Sequence, residues 1–202
     1  MKGILFKEEM FLAVINGRKT QTRRIIPMQK DIDGVKYNIY ECKLMGGNLV
    51  GEYKVFELPS GKYVWVYPRY KTGEVVYLKE PYYIDINRID YLYDGLTNLP
   101  KGYWGNKLFM PESTARYFIK ITHVRCERLT DITADDVQAE GVDYLSKLPV
   151  FLPGRPSREQ LHELATTIAR HEYGTLWESI NGKGSWELNP YVWVYEFELT
   201  KI

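Results

Sequence analysis

The sequence predicts an α+β fold, a small mixed β-barrel with flanking helices. Strand-like and helix-like runs follow one another in no alternating order, which argues against the βαβ repetition of a parallel α/β sheet. Seventeen Tyr, 7 Phe and 5 Trp among 202 residues mark half-buried sheets, where aromatic side chains are enriched. An apolar content of 45% against 26% charged residues is that of a globular chain long enough to bury a core.

The elements follow in order. Residues 3–6 read as an opening strand and residues 7–16 as a helix, with Met10, Phe11, Val14 and Ile15 forming one apolar stripe. Gly17 stops that helix, because glycine accepts the left-handed conformation of a helix C-terminus. Gly34, Gly46, Gly47, Gly51 and Gly61 punctuate residues 28–70, where the clearest hairpin pairs residues 53–58 with 62–67 around Pro59-Ser60-Gly61. Residues 75–78, behind Gly73-Glu74, form a compact buried strand. Residues 81–113 show no period and read as an insertion loop. Tyr117, Ile119 and Ile121 alternate with Arg116, Lys120 and Thr122 as a strand over residues 115–128. Thr133 is an N-cap, with Asp136 in capping-box position, for a helix reaching Glu140 and ending at Gly141. Residues 149–156 form a linker, Ser157 caps a helix to Tyr173, and a second short turn runs through Trp177 and Ile180. A tight loop at 181–185 then precedes a closing strand over residues 191–199.

The bulk numbers exclude several functions. Lys and Arg number 27 against 26 Asp and Glu, a net charge of +1, so the chain does not coat nucleic acid by charge alone. Cys42 and Cys126 are too few for a disulfide framework and lack metal-ligand spacing, and His123, His162 and His171 form no ligand motif. No metal and no cofactor are expected. No apolar run approaches the ~20 residues of a membrane span, and the N-terminus lacks a signal peptide's apolar core, so the chain reads as soluble and cytoplasmic.

Within this neutral chain one run is cationic. From residue 10 to residue 30 there are five basic residues and no acid, centred on Gly17-Arg18-Lys19-Thr20-Gln21-Thr22-Arg23-Arg24. Placed charge with interleaved hydroxyls suits a phosphate-bearing ligand or an activated nucleophile. It also suits a solvated helix end, where cations are favourable beside the carbonyls. Lys19 and Thr22 cooperate only if the chain turns after Gly17, since residues three apart share a face in a helical turn but not in a strand. If the segment is straight, Thr20, Thr22 and Arg24 share one face and form a binding strip. The sequence leaves both open.

The helix followed by Gly17, Lys19, Thr20, Thr22 and Arg24, the strand after Gly73-Glu74 and the helix ending at Gly141 together resemble the ASCH-domain family of the PUA-like superfamily of small β-barrels. The family's Gly-Asp-x-Leu strand is departed from here, with Glu74 in place of Asp. The segment from Leu176 through Trp186 is similar to longer, phage- and prophage-type members. The resemblance implies one domain over residues 1–202, with insertions at about 28–70, 81–113 and 142–175 relative to compact members. It implies a pocket for a modified nucleoside or RNA. It further implies amidohydrolase chemistry of the N4-acetylcytidine type, with Thr22 as nucleophile, Lys19 as base and Glu140 orienting them. Arg18, Thr20, Arg24, Asn181, Lys183, Ser185 and Trp186 are the expected ligand contacts. Two other readings stay open: an RNA-binding module without turnover, and a phage accessory protein whose insertions bind a host partner.

Overall fold

The computed structural model describes residues 1–27, 29–30, 36–37, 43–47, 53–85, 88–94, 104–149 and 157–201. Cys42 and most of the linker expected at 149–156 lie outside the described residues, as do parts of the expected insertions at 28–70 and 81–113. In chain order the elements are β1 (Lys2–Leu5), α1 (Glu8–Ile15), β2 (Gln21–Ile25), β3 (Gln29–Lys30), β4 (Lys36–Tyr37), β5 (Lys43–Gly47), β6 (Lys54–Glu57), β7 (Tyr63–Val66), β8 (Val75–Lys79), β9 (Tyr82–Asp85), β10 (Arg88–Tyr91), β11 (Phe118–Arg128), α2 (Ala134–Ala139), α3 (Arg158–Asn181) and β12 (Tyr191–Thr200). The fold is α+β.

The centre is a five-stranded sheet in the order β1-β8-β11-β12-β2. β1 runs parallel to β8, and the other neighbours are antiparallel. β1 and β2 end the sheet without pairing to each other, so the described strands form an open sheet and not the closed barrel that the sequence suggests. Smaller sheets, β5-β6-β7, β9-β10 and β3-β4, are attached to it in sequence.

Both faces of the central sheet are covered, and the alternation of β12 shows how. Trp193, Tyr195 and Phe197 enter one core with Phe11 and Val14 of α1 and with Phe56, Leu58 and Val66 of the β6–β7 hairpin. Val192 and Val194 enter a second core with Val137 of α2 and Ala169, Tyr173 and Trp177 of α3. β11 keeps its apolar residues in the first core by a register shift between Ile121 and His123. Ile119 and Ile121 precede that bulge, Val124 and Cys126 follow it, and all four pack on the same side. Arg125 and Glu127 therefore emerge on the α2 side, where charged residues gather.

The local signals explain most boundaries. Gly17, at φ +73°, ends α1, and Gly61, at φ +77°, closes the β6–β7 turn. Thr133 accepts from the Asp136 amide while the Asp136 side chain accepts from the Thr133 amide, completing the capping box. Two expectations need correction. Residues 81–113 include the β9–β10 hairpin in addition to loop. The helix after Ser157 does not pause near Tyr173 but runs unbroken through Asn181, with Gly174 inside it. That glycine has a packing reason, because a Cβ there would come within 3.2 Å of the Trp186 ring.

Thr133→Ala removes the cap of a helix only six residues long. Its expected cost is about 1 kcal/mol of global stability, read as a lowered urea midpoint with an unchanged slope.

Candidate active site

The basic run is bent by the turn after Gly17. The amides of Arg18 and Lys19 both donate to the Ala13 carbonyl, at 2.9 and 3.0 Å, so the chain folds back across the end of α1 before β2 begins. Lys19 thus precedes the strand instead of lying in it. The Thr20 amide donates to Ala139 at 2.8 Å, which anchors the segment against the end of α2. The two backbone paths open from sequence are combined: the chain turns before Lys19 and then runs extended from Gln21, so that Thr22 and Arg24 share a strand face.

Strand alternation then distributes the rest. Arg23 opposes Val194 on β12 and faces the α2–α3 side, while Thr22 and Arg24 oppose Tyr195 and Trp193 and belong to the other face. The cavity wraps this terminal strand and takes residues from both sides. It has a volume of about 220 Å³, with Lys19, Thr22, Arg23, Arg24 and Glu140 along one wall. Phe6 and Met10 close it from the α1 side, and Tyr173 and Trp177 from α3.

Its polar centre is Glu140, the C-cap residue of α2. Lys19 Nζ donates to the Glu140 carboxylate at 2.6 Å and to its carbonyl at 2.8 Å, with each side chain only 3% exposed. Arg23 Nη1 donates to the other Glu140 oxygen at 3.1 Å. The second arm of Arg23 donates to Glu127 at 2.5 Å and lies 3.2 Å from Asp136. Arg125 extends the network to Glu127, Asp136 and Glu196. Tyr173 closes the network from α3, with its ring 6.0 Å from the Arg23 guanidinium.

The electrostatics follow from burial. Burial lowers the Lys19 ammonium pKa from its ordinary 10.5, helped by Arg24 and Arg23 and opposed by Glu140. Burial, with Glu140 beside it, lifts the Tyr173 phenol well above its usual value, so it remains a donor. Burial works against the Arg23 charge, but Glu140, Tyr173 and Glu127 outweigh it and hold the guanidinium protonated. Arg24 meets no carboxylate among the described residues: it donates to the Leu5 carbonyl at 2.7 Å and lies over the Phe6 ring at 5.3 Å.

Some donors and acceptors at the walls are uncommitted. The Thr22 hydroxyl carries no hydrogen bond among the described residues, although Thr22 is 4% exposed and lines the cavity. The Trp177 indole N–H and Arg23 Nε are buried without partners there. The described residues contain no cluster of His, Cys, Asp and Glu able to hold a metal ion. Cys126 is also outside this chemistry, since burial pushes its thiol up to about 12. No helix among the described residues is long and apolar enough to cross a membrane.

The expected site residues therefore divide. Lys19, Thr22, Glu140, Arg24 and Asn181 line the cavity. Arg18 and Thr20 are exposed and do not line it. Lys183 is exposed in the loop after α3. Ser185 is half-buried, and Trp186 packs edge-on against Tyr173 at 6.1 Å and over Gly174, at the back of α3. The sequence reading lacked Tyr173, Trp177 and Phe6 as wall residues. Their apolar spacing is legible as core, but nothing local says that this core borders a cavity. The chain matches no family model, no curated protein and no solved structure.

Glu140→Ala leaves two cations buried without their carboxylate. The expected loss is about 3–5 kcal/mol, the scale of breaking a buried ion pair from one side. Glu140→Gln, which keeps shape and one acceptor, should lose less; denaturant unfolding of both variants checks the order.

Proposed function

We propose that the cavity binds a modified nucleoside and hydrolyses an exocyclic N-acyl amide on its base, chemistry of the N4-acetylcytidine type. In this reading the chain is an ASCH-type member of the PUA-like superfamily, with the open sheet as its version of the small barrel. The observation that carries it is the meeting of Lys19 and Glu140, 121 positions apart, in a cavity that Thr22 also lines.

The geometry suits a base made from a lysine. An ammonium has three donors, whereas a neutral amine has two and a lone pair. Glu140 presents two acceptors to Lys19, its carbonyl and one carboxylate oxygen, and these occupy two N–H bonds. The remaining position of the nitrogen is then a lone pair when the amine is neutral. Arg23 shares the Glu140 charge from the other oxygen, which weakens the pull of that carboxylate on the lysine proton.

The reaction then runs in balance. Thr22 Oγ1 forms a bond to the amide carbonyl carbon as its proton passes to Lys19 Nζ. The carbon–nitrogen bond breaks as Lys19 returns the proton to the leaving exocyclic nitrogen, which departs as the amine of the base. Water attacks the resulting threonyl ester as Lys19 takes its proton; the bond from the acyl carbon to Thr22 Oγ1 breaks, Lys19 returns the proton to that oxygen, and the carboxylic acid leaves. Buried donors at the wall, the Trp177 N–H among them, suit the oxyanion that forms at each step.

A non-catalytic nucleoside or RNA site is the second reading, and one observation favours it. The bond of Lys19 to the Glu140 carbonyl also caps α2, so the pair has a structural use without any chemistry. A phage accessory role through a host partner rests on no observation of this kind.

Single-turnover hydrolysis of N4-acetylcytidine separates the two. The expected result is release of cytidine by the wild type and a loss of about a hundredfold or more in Lys19→Ala and Thr22→Ala, the scale of a general base. A folded wild type that binds cytidines but never cleaves the amide favours the binding module. Because the base acts deprotonated, the rate should rise with pH to a plateau, with its inflection below the ordinary lysine value of 10.5. Lys19→Arg should be inactive across that range.

A further inference from the structure

A second, larger cavity of about 680 Å³ lies beside the first and shares Leu5, Arg24 and Ile25 with it. Its cations are Arg24, Arg69 and Lys79, and among the described residues no Asp or Glu lines it. None of the three makes an ion pair among the described residues. Lys79 Nζ donates to the Leu108 carbonyl at 2.6 Å, and the Arg69 guanidinium lies 5.5 Å from the Tyr70 ring. Each keeps N–H donors beyond those contacts.

The same cavity carries aromatic faces that no core requires. Trp65 at the end of the β6–β7 hairpin is 56% exposed and Tyr67 is 65% exposed, and both line it. Trp193 and Tyr195 form buried walls, and the Trp193 indole N–H has no hydrogen-bond partner among the described residues. Elsewhere the chain balances its charges almost one for one. Three cations with no acid among the described lining residues, next to two exposed aromatic rings, are what a sugar-phosphate strand with unstacked bases meets in a single-strand binding groove.

We propose that this second cavity holds the phosphate-linked neighbour of the nucleoside in the first, so that the ligand is a single-stranded RNA and not a free nucleoside. Arg24, common to both cavities and paired with no carboxylate among the described residues, takes the phosphate between them. Arg69 and Lys79 take the next, and Trp65 and Tyr67 stack its base. The inference rests on reading the first cavity as a nucleoside site. The β6–β7 hairpin, which carries Trp65 and leads into Tyr67, then sets the size of the ligand.

The test compares a short oligoribonucleotide carrying one internal N4-acetylcytidine, the same oligonucleotide unmodified, and free N4-acetylcytidine. Each is measured for binding, and the acetylated ligands for hydrolysis, with wild type, Trp65→Ala/Tyr67→Ala and Arg69→Gln/Lys79→Gln. These positions are outside the catalytic wall, and the two aromatics are exposed, so the fold survives their loss. The expected result is oligonucleotide binding at least about tenfold weaker in the aromatic variant, the scale of losing one stacked base. In the charge variant the slope of log affinity against log salt should fall by roughly 0.7 for each cation removed. Handling of the free nucleoside should not change in either. Oligonucleotide binding that equals nucleoside binding, or that survives both double variants, overturns the proposal. If RNA binding depends on these residues while the free nucleoside is neither bound nor cleaved, the reading of the first cavity fails and the second stands as an RNA site. A wild type that cleaves the nucleoside but ignores the oligonucleotide overturns the second cavity alone.

Discussion

One buried carboxylate holds this structure's chemistry in place. Glu140 ends α2, where a negative charge meets carbonyl groups already without intrahelical partners. It is tolerated there because Lys19 and Arg23 both turn donors toward it, with the Tyr173 ring packed beside Arg23. Each of those comes from a different element: the turn after α1, the terminal strand β2 and the long helix α3. The ion cluster is therefore the point at which three separately formed pieces must agree. Burying charges is costly, and such a cluster adds less to stability than its short distances suggest. What it does supply is a single relative placement of those pieces, since any shift leaves a charge unpaired.

The surrounding fold makes the placement reproducible. Gly141, at φ +87°, lets the chain leave α2 so closely to Lys19 that a Cβ there would lie 3.0 Å from the Lys19 Cβ. Gly17 performs the matching turn on the other side, returning the chain across α1. Between them, the backbones of residues 19 and 140 approach with no side chain wedged between. The lysine stem is fixed along its length, so its rotamer entropy, about 1.5–2 kcal/mol for a buried Lys, is lost and must be offset by the contacts at its tip.

Much of this was legible in the sequence, for reasons that can be named. Gly17 marks the end of α1, Pro59-Ser60-Gly61 marks the hairpin turn, and Thr133 with Asp136 marks the start of α2, because each is a local signal with a local cause. Lys19, Thr22 and Glu140 were reached only through a family motif; no spacing rule links positions 121 apart. The contribution of α3 was not legible. Its apolar stripe says that one face is buried, and says nothing about which element it meets or that Tyr173 would come to lie beside a buried ion cluster. The open sheet was misread as a barrel because alternation along a strand reports its two faces and not whether the sheet closes. The bulge in β11 did leave a trace, the three-residue step from Ile121 to Val124 where a regular strand would step by two.

β2 is the last strand of the central sheet among the described residues, and its outer side pairs with none of the described strands. Such an edge invites a strand from another molecule, and inward-pointing charges are one of the devices that refuse it. Arg23 and Arg24 sit in the middle of that strand. The arginines that shape the cavity thus also act as gatekeepers against self-association. The shape of the cavity and the behaviour of the edge are tied to the same two side chains, and a change made at Arg24 to alter one will alter the other.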